Sequence, residues 1–230
     1  MSVRGYIFDY GGTLDTRGCH WGKVLWHAYA EAGVPVSEEQ FREAYVYGER
    51  TLATNRIVTP DFSFRDTLGK KIELQLAYLQ RQGLIGETAV FHKDMLNATY
   101  GFAKTTTEES AKTLKAIAEK LPLVLVSNFY GNISTVLSEF GFDGLFKDII
   151  ESAAVGIRKP DPRIFKMGVE RLGLKPEETM VVGDSYDKDI LPAHSLGCHT
   201  AWMKGEGWTD DEPELPVADI VIGSLSELPF

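Results

Sequence analysis

Residues 4–15 read Arg4-Gly5-Tyr6-Ile7-Phe8-Asp9-Tyr10-Gly11-Gly12-Thr13-Leu14-Asp15. The run from Arg4 to Phe8 is short, continuous and apolar, which predicts a strand buried on both faces at the centre of a parallel sheet. It stops at once on the carboxylate of Asp9, and the two glycines that follow permit a sharp backbone excursion. A carboxylate at a strand end, beside free backbone groups, is suited to act as a nucleophile or a metal ligand. Taken alone it equally suits a simple turn.

Beyond residue 100 the chain alternates between two patterns. Apolar or β-branched runs at Leu123 to Val126, Met180 to Val182, Thr200 to Trp202 and Ile220 to Ile222 predict further strands. Between them, Ala111, Leu114, Ile117 and Leu121 recur at helical steps, as do Ile133, Val136, Leu137 and Phe140, and then Ile164, Gly168 and Leu172. Strands alternating with helices predict an α/β fold with a parallel sheet covered on both faces. Residues 18–100 lack a strand run. Trp21, Leu25, Ala28 and Ala32 form a helical stripe, and so do Phe64, Leu68, Ile72, Leu76 and Leu79. Ser37 to Gln40 has the spacing of a capping box opening a second helix, Glu87 to Tyr100 suits another, and Thr105 to Glu109 suits a cap on a helix leading back to the sheet. The reading is a Rossmann-like parallel sheet core (residues 1–16 and 101–230) interrupted by a smaller all-helical domain (residues 17–100).

The 230 residues carry 24 basic and 33 acidic side chains, a net charge of −9, with 43% hydrophobic residues. This composition predicts an ordinary globular chain and excludes a disordered one. The acidic balance argues against nucleic-acid binding, since phosphate backbones demand a basic face. It also means that any anionic substrate has to be drawn in by local cations. No apolar run approaches the length of a bilayer span, and none has the form of a cleavable leader, so no membrane and a cytoplasmic location are expected. Cys19 and Cys198 read as two reduced thiols. The acidic stretch Asp210-Asp211-Glu212 reads as a solvated loop.

Three further polar clusters follow predicted strands, where ligands bind in open α/β sheets. Ser127-Asn128 offers a hydroxyl and an amide that suit phosphate oxygens or plain helix capping. Arg158-Lys159-Pro160-Asp161-Pro162 is stiffened by its prolines and holds Lys159 as a fixed charge. Gly183-Asp184-Ser185-Tyr186-Asp187-Lys188-Asp189 gathers three carboxylates that suit a hard cation. The dipole of a following helix accounts for Asp187 but poorly for Asp184, which lies at the strand end.

Together and in this order, the four clusters resemble the motifs of the haloacid dehalogenase-like hydrolase superfamily, and the helical stretch lies where many members carry a cap. The resemblance implies magnesium as cofactor, held by Asp9, the Gly11 backbone carbonyl and Asp184. It implies Asp9 as a nucleophile forming an aspartyl-phosphate. Ser127, with Asn128 beside it, would hold the phosphoryl group of a small phosphorylated substrate. Lys159 would neutralise charge beside Asp9, and Asp189, or less favourably Asp187, would orient Lys159 or the metal waters.

The sequence departs from this pattern at one position. Phosphatases of the family carry a second Asp two residues after the nucleophile to protonate the leaving oxygen; here that position is Gly11. His20 and Cys19 lie close by as alternative donors, though a surface or interface histidine accounts for His20 better. The departure keeps two other readings open: a metal-independent 2-haloacid dehalogenase, against which Asp184 argues, and a low-turnover phosphate-binding module. Phosphonate-cleaving members use a cap lysine to form an imine. Lys23, Lys70, Lys71 and Lys93 lie in the helical stretch without a matching context. The expectation is a magnesium-dependent phosphatase.

Overall fold

The computed structural model describes residues 2–209, 213 and 217–230; the expected acidic loop at 210–212 lies outside them. Six strands form one parallel sheet: β1 (Gly5–Phe8), β2 (Leu123–Ser127), β3 (Asp148–Glu151), β4 (Thr179–Gly183), β5 (His199–Met203) and β6 (Ile220–Ile222). Their order is β3-β2-β1-β4-β5-β6. Strand β1 is central, pairing Phe8 with Leu125 of β2 on one side and with Val182 of β4 on the other. The chain therefore winds outward in both directions from β1. The crevice at that reversal opens at the carboxyl ends of β1, β2 and β4, the usual ligand position in such sheets.

Alternation along the strands serves both faces. Tyr6, Phe8, Leu125 and Val182 join one buried cluster, while Ile7, Val124, Val126 and Val181 join another. Both sets are apolar, which is why the strands read as continuous rather than alternating.

Four helices lie between β1 and β2: α1 (Trp21–Glu31), α2 (Glu38–Thr54), α3 (Phe64–Arg81) and α4 (Ala89–Ala118). Helix α2 opens with the expected capping box, Ser37 accepting from the Gln40 N–H while Gln40 returns the bond to the Ser37 backbone. The expected stripe on α3 is buried throughout, from Phe64 to Leu79. Helices α5 (Ile133–Glu139), α6 (Ser152–Val155), α7 (Arg163–Leu172) and α8 (Leu191–Ser195) complete the chain order between the remaining strands.

Two expectations need correction. The helices expected at Glu87 to Tyr100 and after Thr105 are one continuous 30-residue helix, α4. Thr105, Thr106 and Thr107 do not cap a new helix; their hydroxyls donate back to the carbonyls of Gly101, Phe102 and Ala103, four residues earlier. Strand β3 was not expected. It is an edge strand with charged residues at both ends, Asp148 and Glu151, so it lacks the apolar run that marks its neighbours. Among the described residues, no helix is long and apolar enough to cross a membrane.

Candidate functional site

The four polar clusters meet. Asp9, Gly11, Ser127, Asn128, Lys159, Asp184 and Asp189 all line one cavity of about 470 Å³. Asp9 follows β1 directly and is tied to the neighbouring strand through its backbone N–H, which donates to the Val182 carbonyl at 3.0 Å. Its Oδ1 accepts the Tyr10 N–H at 2.7 Å and lies 2.7 Å from Lys159 Nζ. Lys159 Nζ also reaches Asp189 Oδ1 at 2.6 Å. One ammonium thus bridges two carboxylates, with its side chain 2% exposed.

Lys159 arrives at this position through its backbone. The Asn128 amide donates to the Lys159 carbonyl at 3.1 Å and accepts the Lys159 N–H at 3.0 Å. Both ends of the Asn128 amide are therefore engaged in holding the lysine segment. Pro162 forms the N-cap of α7, as its position suggests. Ser127 closes β2, 1% exposed, and is one of the residues around the cavity.

Asp184 and Asp189 are brought together by the turn after β4. Residues Tyr186–Ile190 form a single π-helical turn, a geometry often found at functional sites. The Ser185 N–H donates to Asp189 Oδ2 at 3.1 Å, and Asp189 returns its own N–H to the Ser185 carbonyl at 2.8 Å. Only glycine is tolerated at 183, because a Cβ there would fall 2.4 Å from Asp189 Cβ. Gly12 is constrained in the same way. Its φ is +95°, and a Cβ would lie 2.3 Å from the Asp184 carboxyl carbon. Asp187, the alternative to Asp189, is exposed on the outside of the turn.

The electrostatics follow from this crowding. Carboxylate oxygens of Asp9, Asp184 and Asp189 lie within 4.8 Å of one another. Burial, then the charges of Asp189 and Asp9, push Asp184 well above the usual carboxylate range. Burial likewise pushes Asp189 up to about 6 despite the Lys159 ammonium. Burial alone would lower Lys159, but Asp189 and Asp9 more than reverse it, so the ammonium is held charged. Three carboxylates share one cation, an arrangement that a hard divalent ion balances with oxygen ligands alone. The donor set therefore fits magnesium, and a cation of this kind is what the buried charge calls for.

Several residues around the cavity carry no expected role. Asp15 is 1% exposed, and its oxygens accept the Gly12 N–H at 2.7 Å and the Trp21 indole N–H at 2.8 Å. Burial pushes it up to about 7. His20 is the N-cap of α1, its Nδ1 accepting the Gly22 N–H at 3.0 Å. Burial, then Lys188, push it down to about 4, so the ring is neutral near pH 7 with its proton on Nε2. His20 lines the cavity, where burial favours its neutral ring. Helices α2 and α3 add Glu49 and Lys71, whose signal was weak; Lys71 sits beside Ile72 on a stripe otherwise read as core. Lys71 is paired with Glu49 and held charged, which disfavours it as an imine-forming amine. Cys19 and Cys198 are both free.

A family model described as haloacid dehalogenase-like hydrolase matches residues 3–197. The chain belongs to the haloacid dehalogenase-like hydrolases. Within that family it is 42% identical over 92 residues to a glyceraldehyde 3-phosphate phosphatase of Methanocaldococcus jannaschii, 40% of each chain. It is 37% identical over 83 residues to a phosphoserine phosphatase of Thermus thermophilus, 36% of this chain and 32% of that one. A mouse haloacid dehalogenase-like hydrolase domain-containing protein 3 is 34% identical over 123 residues, 53% of this chain and 49% of that one. The matches thus span a third to a half of these relatives. Among solved structures, a dehalogenase with an intermediate complex has a TM-score of 0.65 at 20% identity, covering 98% of this chain and 95% of that one. A family phosphatase of Thermococcus onnurineus has 0.55 at 21% identity, with 98% and 95% covered. At such identities the likeness concerns the fold alone.

Proposed function

We propose that this chain is a magnesium-dependent phosphatase that hydrolyses a small phosphorylated metabolite through an aspartyl-phosphate on Asp9. The observation that carries this reading is the cluster of Asp9, Asp184 and Asp189 around a single buried ammonium, lining one cavity. Phosphoryl transfer asks chiefly for positioning and charge neutralisation, and this cluster supplies both. The phosphatase names of the relatives from Methanocaldococcus jannaschii and Thermus thermophilus agree with it.

Asp9 Oδ1 is engaged by Lys159 and the Tyr10 N–H, which fixes the plane of the carboxylate. An Asp9 oxygen attacks phosphorus, the bond to the leaving oxygen breaks with its electron pair, and the acyl phosphate is then cleaved by water. Lys159 offsets the repulsion between carboxylate and phosphate, and Asp189 holds Lys159 in line. Ser127 hydrogen-bonds the phosphoryl oxygens. Asp9, Asp184 and the Gly11 carbonyl would hold magnesium, whose chemistry is to neutralise charge on the transferring group. Helices α1–α3 and the part of α4 up to residue 100 act as the cap over the site. No carboxylic acid stands at Gly11, so turnover of alkyl esters is slow and the acyl phosphate accumulates.

A phosphate-ester panel, run with magnesium and with chelator on the parent and on Asp9→Asn, tests the proposal. Release of phosphate by the parent that chelator and Asp9→Asn both abolish is expected. Undiminished activity in Asp9→Asn refutes the nucleophile. Halide release from a 2-haloacid, indifferent to chelator, replaces the reading with a dehalogenase.

A further inference from the structure

The cavity is unevenly charged. Next to the strand ends, Asp9 and Asp189 pair with Lys159, and Asp184 lies beside them. The remaining wall reverses the balance, with Arg50, Lys71, Arg158 and Lys188 against the carboxylates of Glu49 and Asp15. In a chain of net charge −9, four cations about one opening run against the global field.

Lys71 is the inner member of this group. It projects from α3 with its side chain 10% exposed, and Nζ lies 2.7 Å from Glu49 Oε1. The same ammonium stands over the rings of Tyr130 at 5.5 Å and Trp21 at 5.9 Å. Glu49 is fixed in turn, because its Oε2 accepts the Tyr130 hydroxyl at 2.8 Å. Burial pulls Lys71 down, but Glu49 first, then Tyr45 and Asp15, more than reverse this, so the ammonium is held charged. An ammonium has three N–H donors. Among the described residues Glu49 is the one carboxylate within ion-pair distance of Lys71, with Asp15 acting on it from farther off, which leaves donor capacity for the cavity to fill. Those donors face the cavity, where an anionic group of a ligand can meet them. Arg50, Arg158 and Lys188 are exposed, and none pairs with a carboxylate among the described residues.

We propose that Lys71 anchors a carboxylate at the non-reacting end of the substrate, so that the molecule taken is a small phosphorylated carboxylic acid. The inference rests on the phosphatase reading of the same cavity and narrows its substrate class. Glu49 and Tyr130 orient the ammonium, Trp21 and Tyr130 shield it, and the exposed cations raise the local concentration of a ligand charged at both ends. A volume of about 470 Å³ suits a ligand of that size.

The test uses a matched pair, 2-phosphoglycolate and ethyl phosphate, which differ by a carboxylate in place of a methyl group. Affinities are measured calorimetrically with magnesium on the Asp9→Asn protein, and hydrolysis is followed in parallel on the parent. The carboxylate-bearing ester is expected to bind roughly tenfold tighter or more, the scale of one charge-assisted hydrogen bond. Adding Lys71→Met brings the ratio of the two affinities close to one, and Lys71→Arg restores most of the preference. Equal affinities in the Lys71-bearing protein overturn the inference, as does a preference that survives in a folded Lys71→Met protein. Absence of binding by either ester overturns both readings. A binding preference without hydrolysis of any ester by the parent sinks the phosphatase reading and leaves the Lys71 assignment standing.

Discussion

Replacing Gly11 by Asp is the most informative perturbation of this site. A Cβ built at Gly11 meets nothing within 4 Å, and Gly11 is not among the glycines with positive φ. The side chain therefore enters the cavity without strain, and fewer unfolded conformations favour the folded state by about 0.4–1 kcal/mol. The new carboxyl joins Asp9, Asp15 and Asp184 around the same cavity. Their charges raise its affinity for a proton, which is the form a general acid needs. Protonating the leaving oxygen is commonly worth about 10²–10⁴ in rate, or about 2.7–5.4 kcal/mol of barrier. The assay compares kcat/KM on an alkyl phosphate and on p-nitrophenyl phosphate, with magnesium. A gain of about 10² or more on the alkyl ester is expected, with a much smaller gain on the aryl ester, whose leaving group departs unprotonated. Rapid-quench traces should lose their burst, because the same carboxyl activates water. A folded variant with no gain, or with equal gains on both esters, refutes the reasoning that a missing proton donor limits this enzyme.

Removing the bridging ammonium with Lys159→Met leaves Asp9, Asp184 and Asp189 without their shared cation and should cost about 3–5 kcal/mol in urea unfolding with chelator present; added magnesium should recover part of the loss, and an unchanged midpoint contradicts the assignment. His20 sits at about 4 in the folded chain against an ordinary value of 6.5, so the unfolded chain binds the extra proton between these values. Stability should fall as pH drops from 6.5 to 4, by at most about 3 kcal/mol. His20→Asn keeps a good N-cap residue and should flatten that part of the pH–stability curve, and an identical slope in both proteins rules it out. In Gly12→Ala the new methyl meets the Asp184 carboxylate at 2.3 Å on a backbone with φ of +95°. The variant should need more magnesium for half-maximal activity and lose about 1–2 kcal/mol from backbone strain alone.

The sheet was legible because its strands are short apolar runs between polar clusters, and period and composition are local properties. The same locality made the Ser37 to Gln40 box readable, since both of its hydrogen bonds close within four residues. The strand-end positions of Asp9, Ser127 and Asp184 were legible for the same reason, and the order of the motifs carried the family. Strand β3 and the unbroken α4 were not legible. An edge strand needs little apolar surface, and a threonine hydroxyl can bond forward as a cap or backward to its own helix; only packing chooses.

The sequence by itself thus determined the parallel α/β order and the cluster that converges on Asp9, because a buried strand positions whatever residue ends it. Tertiary structure alone decided the opposite wall of the cavity. Lys71, Glu49 and Tyr130 come from α3, α2 and the segment after β2, and no spacing in the chain relates them. Their meeting depends on how helices cross, which is fixed by the summed packing of many side chains rather than by any local pattern.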